Sequence, residues 1–235
     1  MRCNPKINRL VNIAIASGSE VIEFETSGGI CYLIKLNQSD NIYKLCIPDE
    51  IEMIDFETWR GIIDDSILEV IGGAGLKSTA EMFRNVECKE LNLSSFDTSN
   101  VTDMSGMFYN CKVGSLDLSG FFNTSKVVDM SSMFRNIDID YIDLSNFNTS
   151  NVISMYRMFE GINIENLDLS SFDTSNVVDM YQMFEGVNIT NLDLSSFDTS
   201  NVEDMYRMFG NVNIANLNLS NFNTSNVTDM SRIFG

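Results

Sequence analysis

A sequence repeat with an almost constant step, about 25 residues long, is the feature that most limits how this chain can fold. Six phenylalanines follow one another at this step, with only the first interval one position longer than the rest, and two further sets of apolar residues keep the same spacing. The three sets are Phe108, Phe134, Phe159, Phe184, Phe209 and Phe234; Leu93, Leu118, Leu144, Leu169, Leu194 and Leu219; and Phe96, Phe122, Phe147, Phe172, Phe197 and Phe222. Six copies at one spacing predict a stack of similar structural units, which is a solenoid.

Each unit divides into a strand and a second, longer apolar stripe. The strand is a Leu-x-Leu segment, in which the two leucines point to one face and the middle residue to the other. In the fourth copy Val177, Met180, Met183 and Phe184 have the spacing of one face of a helix, with Asn176 as its N-cap and Gly186 at its end. The sequence therefore predicts a right-handed α/β solenoid with a parallel sheet and short helices, about seven coils and about 30 Å long.

Residues 1–66 contain no repeat and are predicted to form a small β-rich region. Val21–Thr26 and Ile30–Leu36 are strand-like runs around a Ser27-Gly28-Gly29 turn, Ile42–Ile47 is a third strand, and Phe56–Ile63 is a short helix. Leu10–Ala16 is interpreted as a first strand in preference to a signal peptide. We predict two domains, a cap for the first coil over residues 1–66 and the solenoid over residues 67–235, with a separate ligand-binding domain as the alternative for the first.

The repeat resembles a known family, the BspA-like leucine-rich repeats of bacterial surface proteins. The block Leu-x-Leu-Ser-x-Phe-Asp-Thr-Ser-Asn-Val-x-Asp-Met-x-x-Met-Phe carries the resemblance, and it stands at Leu192–Phe209 and, with small changes, in the other copies. The resemblance covers about residues 67–235. It implies a leucine-rich-repeat-like solenoid without catalytic activity that serves adhesion, host-matrix binding or other protein contacts. The family has no fixed catalytic residues to carry over.

Composition argues against catalysis, metal binding and nucleic-acid binding. The chain has 15 Lys and Arg against 33 Asp and Glu, a formal net charge of −18, and no histidine. Such a chain repels nucleic acid and anionic lipid and favours basic partners. The five cysteines form no CxxC pair, Cys88 and Cys111 replace core aliphatic residues, and no Ser/His pairing, Walker loop or HExxH motif is present. We expect a protein that is not an enzyme and has no cofactor, no metal site and no membrane-inserted segment.

Stacking turns each surface position into a column of residues that repeats along the solenoid. The strand column carries four carboxylates, and it is either a groove for a basic partner, a weak calcium-binding surface or a solvated acidic face. Its residues are Asn92, Asp117, Asp143, Asp168, Asp193 and Asn218. A second column and a threonine column beside it are predicted to bond their own backbone; they are Asp97, Asn123, Asn148, Asp173, Asp198 and Asn223, and Thr98, Thr124, Thr149, Thr174, Thr199 and Thr224. A further aspartate column is predicted to cap the helices through their backbone N–H groups; it contains Asp103, Asp129, Asp179, Asp204 and Asp229. Asn163, Asn188 and Asn213, with Asn166, Asn191 and Asn216, are predicted to form inward-facing columns.

The most specific prediction for a contact surface is a stripe of tyrosine and arginine. Tyr156, Tyr181 and Tyr206 share one exposed position, and Arg157 and Arg207 follow two of them. Tyrosine and arginine are enriched among the residues that dominate binding energy at interfaces. The alternative is ordinary packing between neighbouring coils. The methionines, by contrast, fall on the apolar stripe and are predicted to be core.

Two functions follow from these patterns. The first is a non-catalytic protein-binding module of adhesin type that acts through the solenoid surface. The second is an intracellular acidic inhibitor that mimics nucleic acid and occupies the basic surface of a DNA- or RNA-binding protein. The localisation stays open between the cell surface, which the resemblance implies, and the cytoplasm, which the free thiols favour. The last coil, Ile233–Gly235, is predicted to expose an apolar edge, which fits either a piece of a longer array or an end-to-end homodimer.

Overall fold

The protein is built on parallel stacking of strands. The computed structural model describes residues 5–26, 29–37, 41–52, 54, 62–63 and 65–235. The elements are α1 (Pro5–Ala16), β1 (Glu20–Thr26), β2 (Gly29–Asn37), β3 (Ile42–Ile47), β4 (Ile67–Gly72), β5 (Glu87–Asn92), β6 (Lys112–Asp117), β7 (Asn191–Leu192) and β8 (Asn216–Leu217). The repeat region forms a parallel β-solenoid of about seven coils. The predicted solenoid and its parallel sheet are thus confirmed.

Strands β1 to β6 form one sheet in chain order. The pairs β1–β2 and β2–β3 are antiparallel, whereas β3–β4, β4–β5 and β5–β6 are parallel. Leu68 pairs in register with Leu91, and Leu91 with Leu116, so the predicted Leu-x-Leu segments are neighbours in the sheet. The strand β3, which precedes the repeats, pairs along its whole length with β4 and continues the sheet of the solenoid.

The N-terminal segment corrects one prediction. Residues 10–16, interpreted as a strand, belong to the helix α1. Ile7, Val11 and Ala14 are buried at the helical spacing of four and three positions and pack with Ile34 and Cys46 of the sheet. The polar Asn12, which would interrupt an apolar strand, falls on the exposed side of this helix.

The three strands predicted after this helix lie where the sequence places them. The turn residues Ser27 and Gly28 lie outside the described residues, as does most of the helix predicted at Phe56–Ile63. Cys3 is also outside them.

The core is built from columns of like residues, as predicted. The rings of the first phenylalanine column stack from coil to coil, with centroid distances between 5.5 and 5.9 Å over the pairs from Phe83–Phe108 to Phe209–Phe234. The methionines of the two predicted core positions are fully buried from Met104 to Met208, and Cys88 and Cys111 are buried with them. In the last coil, Met230 and Phe234 are exposed.

The short helices predicted in each repeat are wrong. In the fourth copy, residues 180–187 form consecutive turns, in which the N–H groups of Met183, Glu185 and Val187 donate to the carbonyls three positions before them. Gln182 has a φ of 52° and Gly186 a φ of 68°. These left-handed residues end each turn after a single hydrogen bond, which a continuing α-helix does not allow. Asn176 is therefore no N-cap; its side-chain amide donates to the Ser150 carbonyl of the preceding coil at 2.8 Å.

The same turns hold neighbouring coils together through peptide groups that point in one direction. At most junctions, four N–H groups of one turn segment donate to carbonyls of the coil that follows. In the fourth copy the bonds are Met180 to Asp204 (2.9 Å), Gln182 to Tyr206 (2.9 Å), Phe184 to Met208 (3.0 Å) and Gly186 to Gly210 (2.8 Å). The bonds that run the other way lie outside the turn segment, for example from Val178 to the Ile153 carbonyl and from Asn188 to the Ile162 carbonyl.

Buried threonines add a further link between coils. The Thr174 hydroxyl donates to the carbonyl of Asp198 at 2.9 Å and accepts the Asp198 N–H at 2.8 Å. Thr98, Thr124, Thr149 and Thr199 make the same pair of bonds. The prediction that these threonines bond their own backbone is wrong, because the hydroxyl bonds the coil that follows.

Candidate functional site

The three predicted tyrosines lie at the first residue of the turn segment and stack on one another. The N–H of Tyr181 donates to Oδ1 of Asp179 at 2.9 Å, which fixes the backbone where the ring leaves the coil. The ring centroids of Tyr156 and Tyr181 are 4.9 Å apart, and those of Tyr181 and Tyr206 are 5.0 Å apart. The rings are half-buried and form a continuous ridge, and the predicted exposed position on a helix is corrected to a half-buried position in a turn.

The structure brings the two predicted arginines against this ridge. The Arg157 guanidinium lies 5.0 Å from the Tyr156 ring centroid and 5.4 Å from that of Tyr181. Arg157 is also 3.4 Å from a carboxylate oxygen of Glu160, and Arg207 is 2.6 Å from a carboxylate oxygen of Glu185. Stacking on aromatic rings and pairing with carboxylates hold the guanidinium groups in defined positions.

A neighbouring column, which the sequence analysis missed, completes the surface. Arg84 and Arg135 lie 4.9 and 5.0 Å from the ring centroid of Tyr109, and Arg135 pairs with Glu160 at 2.9 Å. In the repeat, Arg84 and Arg135 come four residues after the tyrosine position. The turns place the two positions on one face, and this could not be predicted without knowing the turns. We call the combined surface the tyrosine–arginine strip; its residues are Tyr156, Tyr181, Tyr206, Arg157, Gln182, Arg207, Arg232, Arg84, Tyr109, Arg135, Glu160, Glu185 and Glu81.

Charge is distributed unevenly over the solenoid. Every arginine between residues 77 and 235 lies on the tyrosine–arginine strip, in a chain with a net charge of −18. The strip holds five arginines and three glutamates. It is therefore a surface of the repeat region where cationic groups outnumber anionic ones. The repeat spacing could have revealed this, because the five arginines occupy only two positions of the repeat.

The strip also contains buried polar atoms that make no hydrogen bond. Within the described part of the chain there are seven such side-chain atoms, and all seven belong to the strip: Nε of Arg84, Arg135, Arg157 and Arg207, Oε2 of Glu160 and Glu185, and Oε1 of Gln182. Buried polar atoms without hydrogen bonds are uncommon in folded proteins. Ion pairing compensates in part for these missing hydrogen bonds, because Nε of Arg157 lies 3.4 Å from Oε2 of Glu160.

The predicted acidic column is present, and each carboxylate bonds its own chain. Oδ1 of Asp117, Asp143, Asp168 and Asp193 accepts the N–H of the serine two positions later at 2.9 Å. Asp143, Asp168 and Asp193 are exposed, and Asp117 is half-buried. Hydrogen bonds from the serine hydroxyl and N–H lower the pKa of Asp143 and Asp168, and the N–H followed by the hydroxyl lowers that of Asp193. These three carboxylates stay ionised at neutral pH.

The acidic column and the tyrosine–arginine strip are separate surfaces. The acidic column lies at the strand position of each coil and the strip at the turn segment, and no described hydrogen bond or ion pair joins the two sets. The aspartates of the two turn columns bond their own backbone as predicted, for example Asp173 with the Ser175 N–H at 3.0 Å and Asp204 with the Tyr206 N–H at 2.8 Å.

The asparagine columns differ from the prediction. Asn163, Asn188 and Asn213 are exposed instead of inward-facing, and their side chains bond one another instead of the backbone. Nδ2 of Asn188 donates to Oδ1 of Asn163 at 2.8 Å, and Nδ2 of Asn213 donates to Oδ1 of Asn188 at 3.1 Å. We call these three residues the amide ladder. The neighbouring Asn166, Asn191 and Asn216 are exposed as well.

Metal-binding clusters and membrane-spanning helices are both absent from the described residues. No three Cys, Asp or Glu side chains of these ranges lie close enough together to hold a metal ion. No helix among the same residues is long and apolar enough to cross a membrane.

Comparison with known proteins yields one family. A family model described as "Mycoplasma protein of unknown function, DUF285" matches residues 77–164 and 137–235, which together cover most of the repeat region. The comparison with curated proteins gives no match, and neither does the comparison with solved structures.

Proposed function

Because the chain belongs to the family described as Mycoplasma protein of unknown function, DUF285, we propose its function from its surface: it is a non-catalytic protein-binding module of the kind that the BspA-like leucine-rich repeats of surface proteins represent. The observation that carries this proposal is the tyrosine–arginine strip. Stacked tyrosines and paired arginines cover several coils without a gap and are held by the rigid stack beneath them.

The chemistry of the strip fits a protein partner. Rings that stack 4.9 and 5.0 Å apart have already lost most of their conformational freedom, so a partner that packs on them loses little further entropy. Tyrosine offers apolar area together with a hydroxyl group, and arginine adds donors of fixed geometry. Side chains of these two types carry a large share of the binding energy in protein interfaces.

The net charge suggests which partner approaches the module. A chain with a net charge of −18 attracts basic proteins over distances beyond direct contact, and the exposed Asp143, Asp168 and Asp193 extend this attraction along the solenoid. We propose a protein partner with a basic surface that the acidic column attracts during approach, and with a second, uncharged or acidic surface that packs on the tyrosine–arginine strip.

The repeat itself provides matched variants for a test. Serine occupies the tyrosine position in other coils, at Ser105, Ser131 and Ser231, so a triple variant with Tyr156, Tyr181 and Tyr206 changed to serine keeps a natural residue there. The tagged protein is used to isolate matrix and cell-envelope proteins at physiological salt, and the affinity of each purified partner is then measured. We expect at least a tenfold loss of affinity in the triple serine variant, with the circular dichroism spectrum unchanged.

The control variant changes charge on the other surface. Asn92 and Asn218 occupy the acidic column in other coils, so Asp143→Asn, Asp168→Asn and Asp193→Asn keep the acceptor for the serine N–H and remove three charges. This variant should slow association and weaken its salt dependence while leaving dissociation nearly unchanged. Retention of full affinity by the triple serine variant would exclude the strip as the contact surface.

The acidic column supports a second candidate function, that of an inhibitor that occupies a basic, nucleic-acid-binding surface. Its exposed carboxylates have lowered pKa values and repeat at the coil spacing of about 4.8 Å. Here the triple asparagine variant should lose binding to DNA-binding proteins, and the triple serine variant should keep it. Binding that persists well above physiological salt would contradict this function.

A further inference from the structure

A shallow groove along the solenoid is not used by either proposed function. It encloses about 520 Å³ and is lined on one side by the amide ladder and on the other by Glu165, Thr190 and Ala215. Between the two sides lie Ile164 and Ile189, whose side chains are buried in the core at 4% and 2% exposure. Asp140 connects this groove to a second one of about 310 Å³ beside the preceding coils. The space available is therefore long and narrow and follows the stack.

The groove walls are rich in unused hydrogen-bonding capacity. An asparagine amide offers two N–H donors and two acceptor positions. Within the ladder, Asn188 uses one N–H toward Asn163 and its oxygen toward Asn213, at 2.8 and 3.1 Å. One N–H and one acceptor position remain on an exposed side chain, and the ladder bonds hold the amide plane in place. The Thr190 hydroxyl on the opposite wall is exposed too.

The two parts of the groove differ in charge. At the N-terminal part, Lys112 pairs with Glu87 at 2.9 Å and Lys89 with Asp65 at 3.1 Å, so these side chains neutralise one another. Among the described residues that line the amide part there is no cation, and the charged side chains are Asp140 and Glu165. An anionic ligand would meet these carboxylates and the negative charge of the whole chain.

An apolar ligand fits the groove no better, because the aliphatic side chains between its walls point into the core. A ligand for this site is uncharged, elongated and dense in groups that both donate and accept hydrogen bonds. Planar side-chain amides, which offer a donor and an acceptor side by side, suit pairs of neighbouring hydroxyl groups.

From these properties we infer that the groove along the amide ladder binds a neutral, linear oligosaccharide, with successive sugar units lying across successive coils. The asparagines bind the hydroxyl groups, Thr190 and Ala215 leave room on the opposite wall, and the order of the coils sets the direction in which the chain lies. This inference does not rest on the proposed function, since the groove and the tyrosine–arginine strip occupy different positions of the repeat.

Calorimetric titration of the full chain tests the inference. The probes are hexasaccharides of β-1,4-linked glucose and of β-1,4-linked N-acetylglucosamine, a sulfated hexasaccharide, and an uncharged Gly/Ser peptide of similar length. At least one neutral hexasaccharide should bind. Asn188→Ala should weaken that binding at least tenfold. Asn201→Ala is the matched control, because the Asn201 amide also links two coils, at 2.7 Å to the Ser175 carbonyl, but lies outside the groove.

A second variant keeps the test decisive if Asn188→Ala disturbs the fold. Thr190→Trp leaves the amide ladder intact and fills the groove from its exposed wall, and it should abolish saccharide binding. The inference is overturned if neither neutral hexasaccharide binds, if only the sulfated probe or the peptide binds, or if Thr190→Trp binds the saccharide as well as the unaltered chain does.

Discussion

At the scale of single residues, the stack depends on a few polar side chains that lie inside it. Thr174 is 1% exposed, and its hydroxyl satisfies both backbone groups of Asp198. Because the same arrangement recurs at Thr98, Thr124, Thr149 and Thr199, one hydroxyl per coil fixes the distance to the coil that follows. Sequence alone predicts that a regular spacing of threonines is structural, but it does not tell which backbone groups the hydroxyls bond.

Changing Thr174 to valine should destabilise the protein. Valine has the same shape but removes the hydroxyl that bonds the N–H and the carbonyl of Asp198 from a buried position, which costs about 2 kcal/mol of unfolding free energy. Thr174→Ser keeps the hydroxyl and loses one methyl group, about 1 kcal/mol. Urea unfolding followed by circular dichroism measures both. Equal losses in the two variants would show that the hydroxyl bonds contribute nothing.

The buried cysteines give a prediction for alkaline pH. Burial raises the pKa of Cys31 and Cys88 to about 12 and that of Cys46 to about 11, and it raises the pKa of Cys111 as well. In the unfolded chain these thiols ionise near pH 9, so their contribution to stability is complete below that pH and is lost as the pH rises toward 12.

A Cys3→Ser variant isolates these four thiols. It should react with Ellman's reagent at pH 8 only after unfolding in guanidinium, because the reactive thiolate does not form inside the folded core. Its unfolding free energy should fall steadily above pH 9. Fast reaction of the native protein at pH 8 would contradict the burial of the thiols.

At the scale of structural elements, the turn segment shows where sequence patterns fail. The spacing of Val177, Met180, Met183 and Phe184 is equally compatible with a helix and with consecutive turns, because both place every third or fourth residue inside. The backbone decides between them at Gln182, with a φ of 52°. Glu81, Ser132, Arg157 and Arg207 adopt the same conformation there, and Gly106 is the one glycine among the seven described residues at this position, so the residue type does not mark it. The core columns, which depend only on spacing, were predictable.

At the second left-handed position of the turn, occupied by Gly186, we expect different substitutions to cost different amounts of stability. Gly186 has a φ of 68°, and a β-carbon there would approach no atom more closely than 3.8 Å, so the cost of a side chain is conformational. Asparagine stands at this position in Asn85, Asn110, Asn136 and Asn211. Thermal unfolding should show that Gly186→Asn loses less than about 1 kcal/mol and that Gly186→Val loses about 2 kcal/mol or more. A tolerated valine would contradict the turn geometry.

The acidic column predicts how acid affects stability. The pKa values of Asp143, Asp168 and Asp193 are lowered in the folded protein, so their stabilisation is present above about pH 4, the pKa of an unfolded aspartate, and is lost as the pH falls through the lowered values. The triple asparagine variant keeps the acceptors at every pH. Its melting temperature should fall less than that of the unaltered chain between pH 4 and pH 2, and parallel losses would contradict this account.

At the scale of the whole molecule, one core runs from Phe24 in β1 to Phe209 in the first phenylalanine column, so the β-rich segment and the repeats are continuous. The sequence predicted the repeats but not this continuity, because the pairing of β3 with β4 joins segments that share no repeat pattern. The tyrosine–arginine strip was predictable in part, since its tyrosines share one position whereas Arg84 and Arg135 belong to another.

Equivalence of the coils predicts that an internal one can be removed. Deleting residues 162–186 joins Gly161 to Val187, which occupy the positions of Gly186 and Val187 in the intact coil. The shortened chain should fold cooperatively, because each coil contacts only its neighbours. Its denaturant m-value should fall by about a tenth, in proportion to the residues removed. A loss of cooperative unfolding would show that the coils are not interchangeable.

The hydrogen bonds that the turn segments make between coils all point in one direction, and this has an electrical consequence. Within the turn segments, four N–H groups at most junctions point toward the following coil and none of the described bonds of this segment points back, so the peptide moments of the segment share one direction. These moments add along the axis in the same way as those of an α-helix, although the chain here runs around the axis. The stacked turn segments thus form a permanent dipole whose positive end lies at the later coils. Because the moment belongs to the backbone, titrating the carboxylates changes the net charge and leaves this polarity in place.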